Sequence, residues 1–220
     1  MDYKGIKEYL KQDLEGVNAL MGKSLSSDIA LLDKTNKSVL AHSGKQIRPV
    51  LCLLAARACS GGFVTEDTLL YASAVELLHN ATLLHDDVAD DSPMRRGVPT
   101  VMSLLGGRAS VLLGDYWLVK GMENILASAN SSAKVIRIFA ATLSDLAEGE
   151  LLQLQKADTG DTLEQDYYKI IYNKTSSLFV AAATSGAMSV GASEEKMKAV
   201  RTYAKCLGQA FQIKDDIFDY

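Results

Sequence analysis

Apolar residues recur at three- and four-residue spacing along nearly the whole chain, and strand-type alternation over useful lengths is missing. That period predicts helices over 3–22, 25–38, 47–60, 65–91, 107–128, 132–157, 162–187 and 194–220. Breaks fall at Gly61-Gly62, Gly106-Gly107, Thr159-Gly160 and Gly191, where glycine frees the backbone to turn. The only prolines are Pro49, Pro93 and Pro99, so nothing after residue 99 interrupts a helix by that route. Asp161 with Glu164 reads as a capping-box opening of the helix over 162–187. Residues 175–193 carry no charge and approach the length of a membrane span. They are rich in Ser, Thr, Ala and Gly, which predicts a tightly packed interior helix instead. The expectation is an all-α protein, one domain over 1–220, built as a bundle of long helices around a central cavity.

Charge and cysteine usage narrow the function. A net charge of −4 without a basic stripe excludes a nucleic-acid footprint. Cys52, Cys59 and Cys206 are odd in number and lack metal-ligand spacing. They read as reduced, mostly buried thiols of a cytoplasmic protein. Mixed charge follows Met1-Asp2-Tyr3-Lys4, so no signal peptide and no transmembrane segment are expected.

Two acidic clusters of one form lie inside otherwise apolar helices: Asp86-Asp87-Val88-Ala89-Asp90 and, 129 positions later, Asp215-Asp216-Ile217-Phe218-Asp219. Buried carboxylates are costly unless a cation compensates them. On a helix His79, Thr82, Asp86 and Asp90 share one stripe with Asp87 on its flank; Gln212, Asp215 and Asp219 share another, with Asp216 beside it. Oxygen ligands without cysteine or histidine favour Mg²⁺ or Mn²⁺, which take one or two carboxylates, waters and phosphate oxygens. A solvated acidic face explains one such cluster, but poorly explains two, each flanked by Leu83-Leu84 or Ile217-Phe218. The expected arrangement is two acidic helices facing each other, with an anionic substrate between them. Cations sit at nearby element boundaries: Lys45 and Arg48 in Gly44-Lys45-Gln46-Ile47-Arg48-Pro49, the pair Arg95-Arg96, and Lys174-Thr175 at the start of the uncharged run. Helix entrances and paired arginines suit phosphate.

These residues, in this order, resemble the trans-isoprenyl diphosphate synthases, or polyprenyl synthetases, from about residue 40 to the end. The series also includes Glu76-Leu77-Leu78-His79, Gly149-Glu150-x-x-Gln153 and Phe211-Gln212-x-x-Asp215-Asp216-x-x-Asp219. The resemblance implies an isoprenoid-synthase helical fold, and a Mg²⁺-dependent prenyltransferase using more than one ion, with Mn²⁺ able to substitute. It implies that Lys45, Arg48, His79 and Arg96 bind isopentenyl diphosphate, and that Asp86, Asp90 and Asp215 ligate the metal. Arg95, Lys174, Thr175 and Gln212 would contact the allylic diphosphate. Asp86, Asp87, Asp90, Lys174, Asp215 and Asp216 are the implied catalytic set. A homodimer is expected on the same ground. His42 and His85 have no assigned role.

The implied reaction ionises the allylic carbon–oxygen bond, adds the double bond of isopentenyl diphosphate to the cation and then loses a proton. It requires a stabilised leaving group rather than a protein nucleophile, and no Ser-His-Asp or Cys-His arrangement stands out. Ala81 and Thr82, five and four residues before Asp86, are small where this family uses bulk to stop chain growth. That implies a long all-trans product, hexaprenyl to octaprenyl or beyond, and predicts that Ala81→Phe shortens it. The chain is C-terminally short for the family, which continues for several more helices. Two rivals remain: a class I terpene cyclase, which leaves Lys45, Arg48 and Arg96 without a task, and a non-catalytic subunit that binds prenyl diphosphate.

Overall fold

The computed structural model describes residues 2–129 and 132–218. Asp219, the last aspartate of the second cluster, lies outside them. The described chain is helical apart from one short hairpin, as the apolar period predicts. It divides into two compact units: residues up to Val50 together with Leu69–Ala129, and Leu51–Thr68 together with the residues from 132 onwards.

In the first unit, α1 (Tyr3–Tyr9) and α2 (Lys11–Ser24) replace the single helix expected over 3–22. The backbone kinks at Leu10, whose side chain is fully buried and anchors the break. Leu10, Leu14, Val17 and Met21 continue the helical stripe into the core, each fully buried Leu contributing about 2 kcal/mol. α3 runs from Ala30 to Ala41, later than the expected 25–38, because Leu25 and the residues after it form a turn. Asn36 donates to the Leu25 carbonyl at 2.7 Å and accepts from Trp117 Nε1 at 2.8 Å, so a buried amide staples α3 to that turn and to α7 (Gly107–Ala127).

α5 (Glu66–Ala89) enters this unit at Leu69 and buries Tyr71, Val75, Leu77, Leu78, Ala81 and Leu84. Gly121 of α7 lets Leu78 approach, since a Cβ there would lie 3.1 Å from Leu78 Cδ2. After α5 the chain forms a hairpin, β1 (Met94–Arg95) and β2 (Val98–Pro99), paired Arg95 to Val98. Two-residue strands are too short to show as alternation in the sequence, so the apolar pattern does not predict this element. Arg96 at φ +52 and Gly97 at φ +80 make the two-residue turn, of the kind whose twist suits a hairpin. A non-glycine residue there costs about 1 kcal/mol. Thr100 then caps the short helix α6 (Val101–Leu105), accepting from the Ser103 N–H at 3.1 Å.

In the second unit, α8 (Ala133–Thr159) ends at Gly160 in the left-handed conformation, as the Thr159-Gly160 break predicted. The expected helix over 162–187 is three pieces: α9 (Glu164–Ile171), a π-helical turn (Tyr172–Ser176) and α10 (Ser177–Ser189). Its opening also differs from the expected cap. Asp166 accepts from the Leu163 N–H at 3.1 Å, whereas Asp161 binds Lys156 and the Thr159 hydroxyl. α10 is buried along almost its whole length, as its small uncharged residues imply. Three of its serine hydroxyls bond back to helix carbonyls, Ser177 to Asn173 at 2.7 Å, Ser185 to Ala182 at 3.1 Å and Ser189 to Gly186 at 2.7 Å, which offsets the cost of burying them, whereas the buried Thr184 hydroxyl has no such partner. α11 (Glu194–Phe218) packs on α10 and carries Phe211 5.6 Å from Phe179. Cys52, Cys59 and Cys206 are free thiols; Cys206 is exposed rather than buried, because it lies on the outer face of α11. Among the described residues no helix is long and apolar enough to cross a membrane.

Candidate functional site

The first cluster closes α5. Asp86 is half-buried and Asp90 exposed, one turn apart on the stripe that also carries His79 and Thr82. Asp87 differs. It is 4% exposed, and Arg95 Nε donates to its Oδ1 at 2.7 Å. The hairpin carries Arg95, so this ion pair fixes the hairpin on α5. Asp87 is thereby held by a protein donor, and Arg95, one-third exposed, is turned towards it.

Arg96, at the hairpin tip, donates from Nη1 to the His42 carbonyl at 2.8 Å. Its guanidinium lies over Gly44, where a Cβ would come within 2.6 Å of Cζ and where φ is +71. Gly44 is thus required both by its backbone and by the arginine above it. Lys45 is exposed, with its carbonyl accepting from the Tyr3 hydroxyl at 2.8 Å. Arg48 is half-buried near the start of α4 (Ile47–Ser60).

Glu76, three residues before His79, is visible in the sequence as part of a motif but without a role. It is 1% exposed, and burial pushes its carboxyl up to about 7 against the pull of Arg48, Arg96, Asn80 and Lys7. Burial, then Glu76 acting against it and Arg96 acting with it, brings Arg48 down to about 10, so it stays charged at neutral pH. Burial, then Arg48, Arg96 and Arg95, holds His79 well below its usual range, so its imidazole is neutral. Arg48 and Arg96 thus act on both the buried Glu76 and the buried His79. His85 packs into the notch at Gly114, with its Nε2 3.1 Å from Asp115 Oδ1.

Below Asp86, the two candidate chain-length residues differ. Ala81 has no accessible surface, whereas Thr82 is half-buried on the Asp86 stripe, with its hydroxyl donating to the His79 carbonyl at 2.8 Å. A cavity of about 550 Å³ opens beside another face of α5 and reaches Arg95 and Arg96, with Asn80, Leu84, Asp87 and Leu104 among its walls.

The second cluster closes α11 within the second unit. Asp215 is exposed. Asp216 is held on both oxygens, by the Tyr167 hydroxyl at 2.6 Å and the Gln212 amide at 2.8 Å. Gln212 in turn accepts from the Thr175 hydroxyl at 2.6 Å. Lys174 donates to Gln153 at 2.7 Å and ion-pairs with Glu150 at 2.7 Å. Thr175 and Gln212 thus meet each other and Asp216, rather than projecting into open space. Sequence reasoning misses Tyr167, since one tyrosine on an exposed amphipathic turn gives no signal by itself; Glu150 and Gln153 are visible as a motif without a role.

No group of three or more His, Cys, Asp or Glu among the described residues converges closely enough to enclose a cation. The donor set still fits Mg²⁺, an ion that binds one or two carboxylates and completes its shell with water and phosphate oxygens. In the first unit Asp86 and Asp90, a turn apart on one stripe, form such a partial set, and in the second unit Asp215 is an exposed all-oxygen donor.

The polyprenyl synthetase family model matches residues 13–220. The chain belongs to the polyprenyl synthetase family. Octaprenyl diphosphate synthase of Escherichia coli (strain K12) is 38% identical over 220 residues, covering all of this chain and 67% of that protein. The crystal structure of a decaprenyl diphosphate synthase from Rhodobacter capsulatus superposes with a TM-score of 0.91 at 37% identity, covering 100% of this chain and 66% of that one. A polyprenyl synthase from Caulobacter crescentus CB15, complexed with calcium and isoprenyl diphosphate, gives 0.92 at 36% identity, covering 100% and 66%. The chain therefore spans about two thirds of the length of these relatives. The all-α isoprenoid-synthase fold is shared with them, and the relatives favour a long-chain prenyltransferase over a cyclase or a non-catalytic subunit.

Proposed function

We propose that this polypeptide is a Mg²⁺-dependent trans-polyprenyl diphosphate synthase that extends an allylic diphosphate with isopentenyl diphosphate to a long product, hexaprenyl to octaprenyl or beyond. The observation that carries the reading is an arrangement repeated in the two units. In each cluster the second aspartate is tied down by protein donors, Asp87 by Arg95 and Asp216 by Tyr167 and Gln212, while its neighbours Asp86 and Asp215 are not buried. Two positioned carboxylate rows suit the binding of a diphosphate through cations.

Asp86 and Asp90 in the first unit and Asp215 in the second would supply oxygen ligands to Mg²⁺, while Asp87 and Asp216 would keep their helices' ends in place. When bound, Mg²⁺ supplies the charge that stabilises a departing diphosphate. Arg48, Arg96 and Lys45 bind the diphosphate of isopentenyl diphosphate, and neutral His79 donates one N–H to it. Lys174, Gln212, Thr175 and Arg95 serve the allylic diphosphate. Lys174 uses two of its three donors on Glu150 and Gln153, which aims the ammonium and leaves one N–H for an anion. Apolar walls keep water from the allylic cation. Thr82, small and on the Asp86 stripe, leaves room for a growing chain.

A homodimer is supported by α7, where Leu112, Val119 and Leu126 are exposed at a spacing of seven. This is the period of a helix–helix seam. Three free thiols are what a reducing cytoplasm maintains. The test is incorporation of radiolabelled isopentenyl diphosphate with Mg²⁺ and an allylic primer, on this chain and on a lengthened form. Long all-trans polyprenyl diphosphate supports the reading, while a cyclic hydrocarbon from farnesyl diphosphate alone would refute it.

A further inference from the structure

The π-helical turn Tyr172–Ser176 carries Lys174 and Thr175, and two glycines grip it from opposite helices. At Gly149 of α8 a Cβ would lie 2.8 Å from Asn173 Cβ, 2.9 Å from Lys174 Cγ and 3.0 Å from the Lys174 nitrogen. At Gly208 of α11 a Cβ would lie 2.7 Å from Ser176 Cα and 2.9 Å from Ser176 Cβ. Two of the nearest atoms are backbone, so neither clash can be relieved by rotating a side chain alone. The Ser176 hydroxyl reaches back to the Ile171 carbonyl at 3.4 Å, five residues earlier, in keeping with the wide turn.

The extra residue of a π turn rotates the downstream helix by about 100° relative to a plain α-helix. Three partnerships coexist across it. Tyr167, before the turn, donates to Asp216; Lys174, inside it, reaches Glu150 and Gln153; Thr175 reaches Gln212, which donates to Asp216. A continuous helix over 164–189 would move Tyr167 around the axis relative to Thr175 and could not keep both linked to Asp216. The two glycines are what allow the wide turn to lie this close to α8 and α11.

We propose that Gly149 and Gly208 are positioning residues that act through the π turn, aiming Lys174 and holding the Tyr167–Asp216–Gln212–Thr175 network in register. The inference rests on the assignment of this network to the allylic diphosphate. A methyl at Gly149 pushes the turn off α8 and displaces Lys174 with it. A displacement near 1 Å at a reacting centre costs about a hundred-fold in rate. The isopentenyl diphosphate residues Lys45, Arg48 and Arg96 are in the other unit and are untouched.

The experiment compares wild type with Gly149→Ala, Gly208→Ala and Tyr167→Phe, the last removing one hydroxyl without adding volume. Hydrogen exchange over 167–180, read by mass spectrometry, reports the turn independently of activity. Steady-state kinetics report the KM of each substrate. The expected result is faster exchange at 172–176 in both alanine variants, a KM for the allylic diphosphate raised ten-fold or more, and a KM for isopentenyl diphosphate within two-fold of wild type. Tyr167→Phe should leave exchange of the turn unchanged and raise the Mg²⁺ concentration needed for half-maximal rate. A Gly149→Ala protein with altered exchange but both KM values unchanged, or changed equally, would overturn the inference and leave the synthase assignment intact. Wild type without prenyl transfer would instead remove the functional assignment, while exchange would still decide whether the glycines hold the turn. If neither alanine variant folds, an unchanged Mg²⁺ requirement in Tyr167→Phe overturns the network.

Discussion

Replacing Glu76 by glutamine should flatten the pH dependence of stability between pH 5 and 8. The carboxyl is 1% exposed, and burial moves it from 4.5 in the unfolded chain to about 7 in the fold. A folded state that holds a proton more tightly than the unfolded chain gains stability at low pH. That contribution is fully present below pH 4.5 and is lost as pH rises through about 7. Between pH 5 and 8 the loss is about 2 to 3 kcal/mol. The groups facing Glu76 are Arg48 of α4, Arg96 of the hairpin, Lys7 and Tyr3 of α1, and Asn80 of α5 itself; the two arginines also face His79. Tyr3 is pushed up to about 12, chiefly by burial, and His79 is neutral, so Glu76 is the group of this cluster that changes charge in the window. The assay is urea unfolding of wild type and Glu76→Gln at pH 5, 6, 7 and 8, with midpoints converted at constant slope. The variant should lose about 2 kcal/mol less than wild type over that range. Parallel curves for the two proteins would show that Glu76 is ionised throughout and would refute the reasoning.

Thr82→Phe should shorten the longest product by several isoprene units, since the ring would stand about 6 Å below Asp86 on the same stripe; chain-length analysis of the products checks this. Ala81→Phe should shorten the product less cleanly and lower stability by about 1–3 kcal/mol, because the site has no free surface to receive a ring. Removing one partner of the Asp87–Arg95 pair, by Asp87→Asn, should lower stability by about 2 kcal/mol, discounted because Arg95 is one-third exposed. Its rate with both diphosphates should fall as well, and equal unfolding midpoints would contradict the pair's role. Leu112→Glu, in the exposed apolar stripe with a spacing of seven, should shift the protein towards monomer in analytical ultracentrifugation, while an unchanged sedimentation coefficient would argue against a seam there.

The all-helical class and the position of most helices were legible because apolar residues at three- and four-residue spacing bury one face of each helix. The break at Leu10 was not, since a buried leucine continues the apolar period while the backbone departs from it. The hairpin at 94–99 escaped because its strands are two residues long and its turn places an arginine where asparagine or glycine is usual. The π turn at 172–176 was invisible for a different reason. It lies in close approach to Gly149 and Gly208, far away in sequence, and the local residues Tyr-Asn-Lys-Thr-Ser suit a plain helix equally well. At the site, the charged motifs were readable as clusters, but not their division of labour. The partners that hold Asp87 and Asp216, Arg95 and Tyr167, are eight and 49 positions distant, and only the fold brings them there.

The central claim is that both aspartate rows serve one metal-dependent loss of diphosphate. The most direct measurement is the Mg²⁺ dependence of pyrophosphate release from an allylic diphosphate and isopentenyl diphosphate, in wild type, Asp86→Asn and Asp215→Asn. Each substitution alone should lower the rate by about a hundred-fold or more and raise the Mg²⁺ requirement. An Asp215→Asn protein with wild-type rate and wild-type Mg²⁺ dependence would contradict the claim.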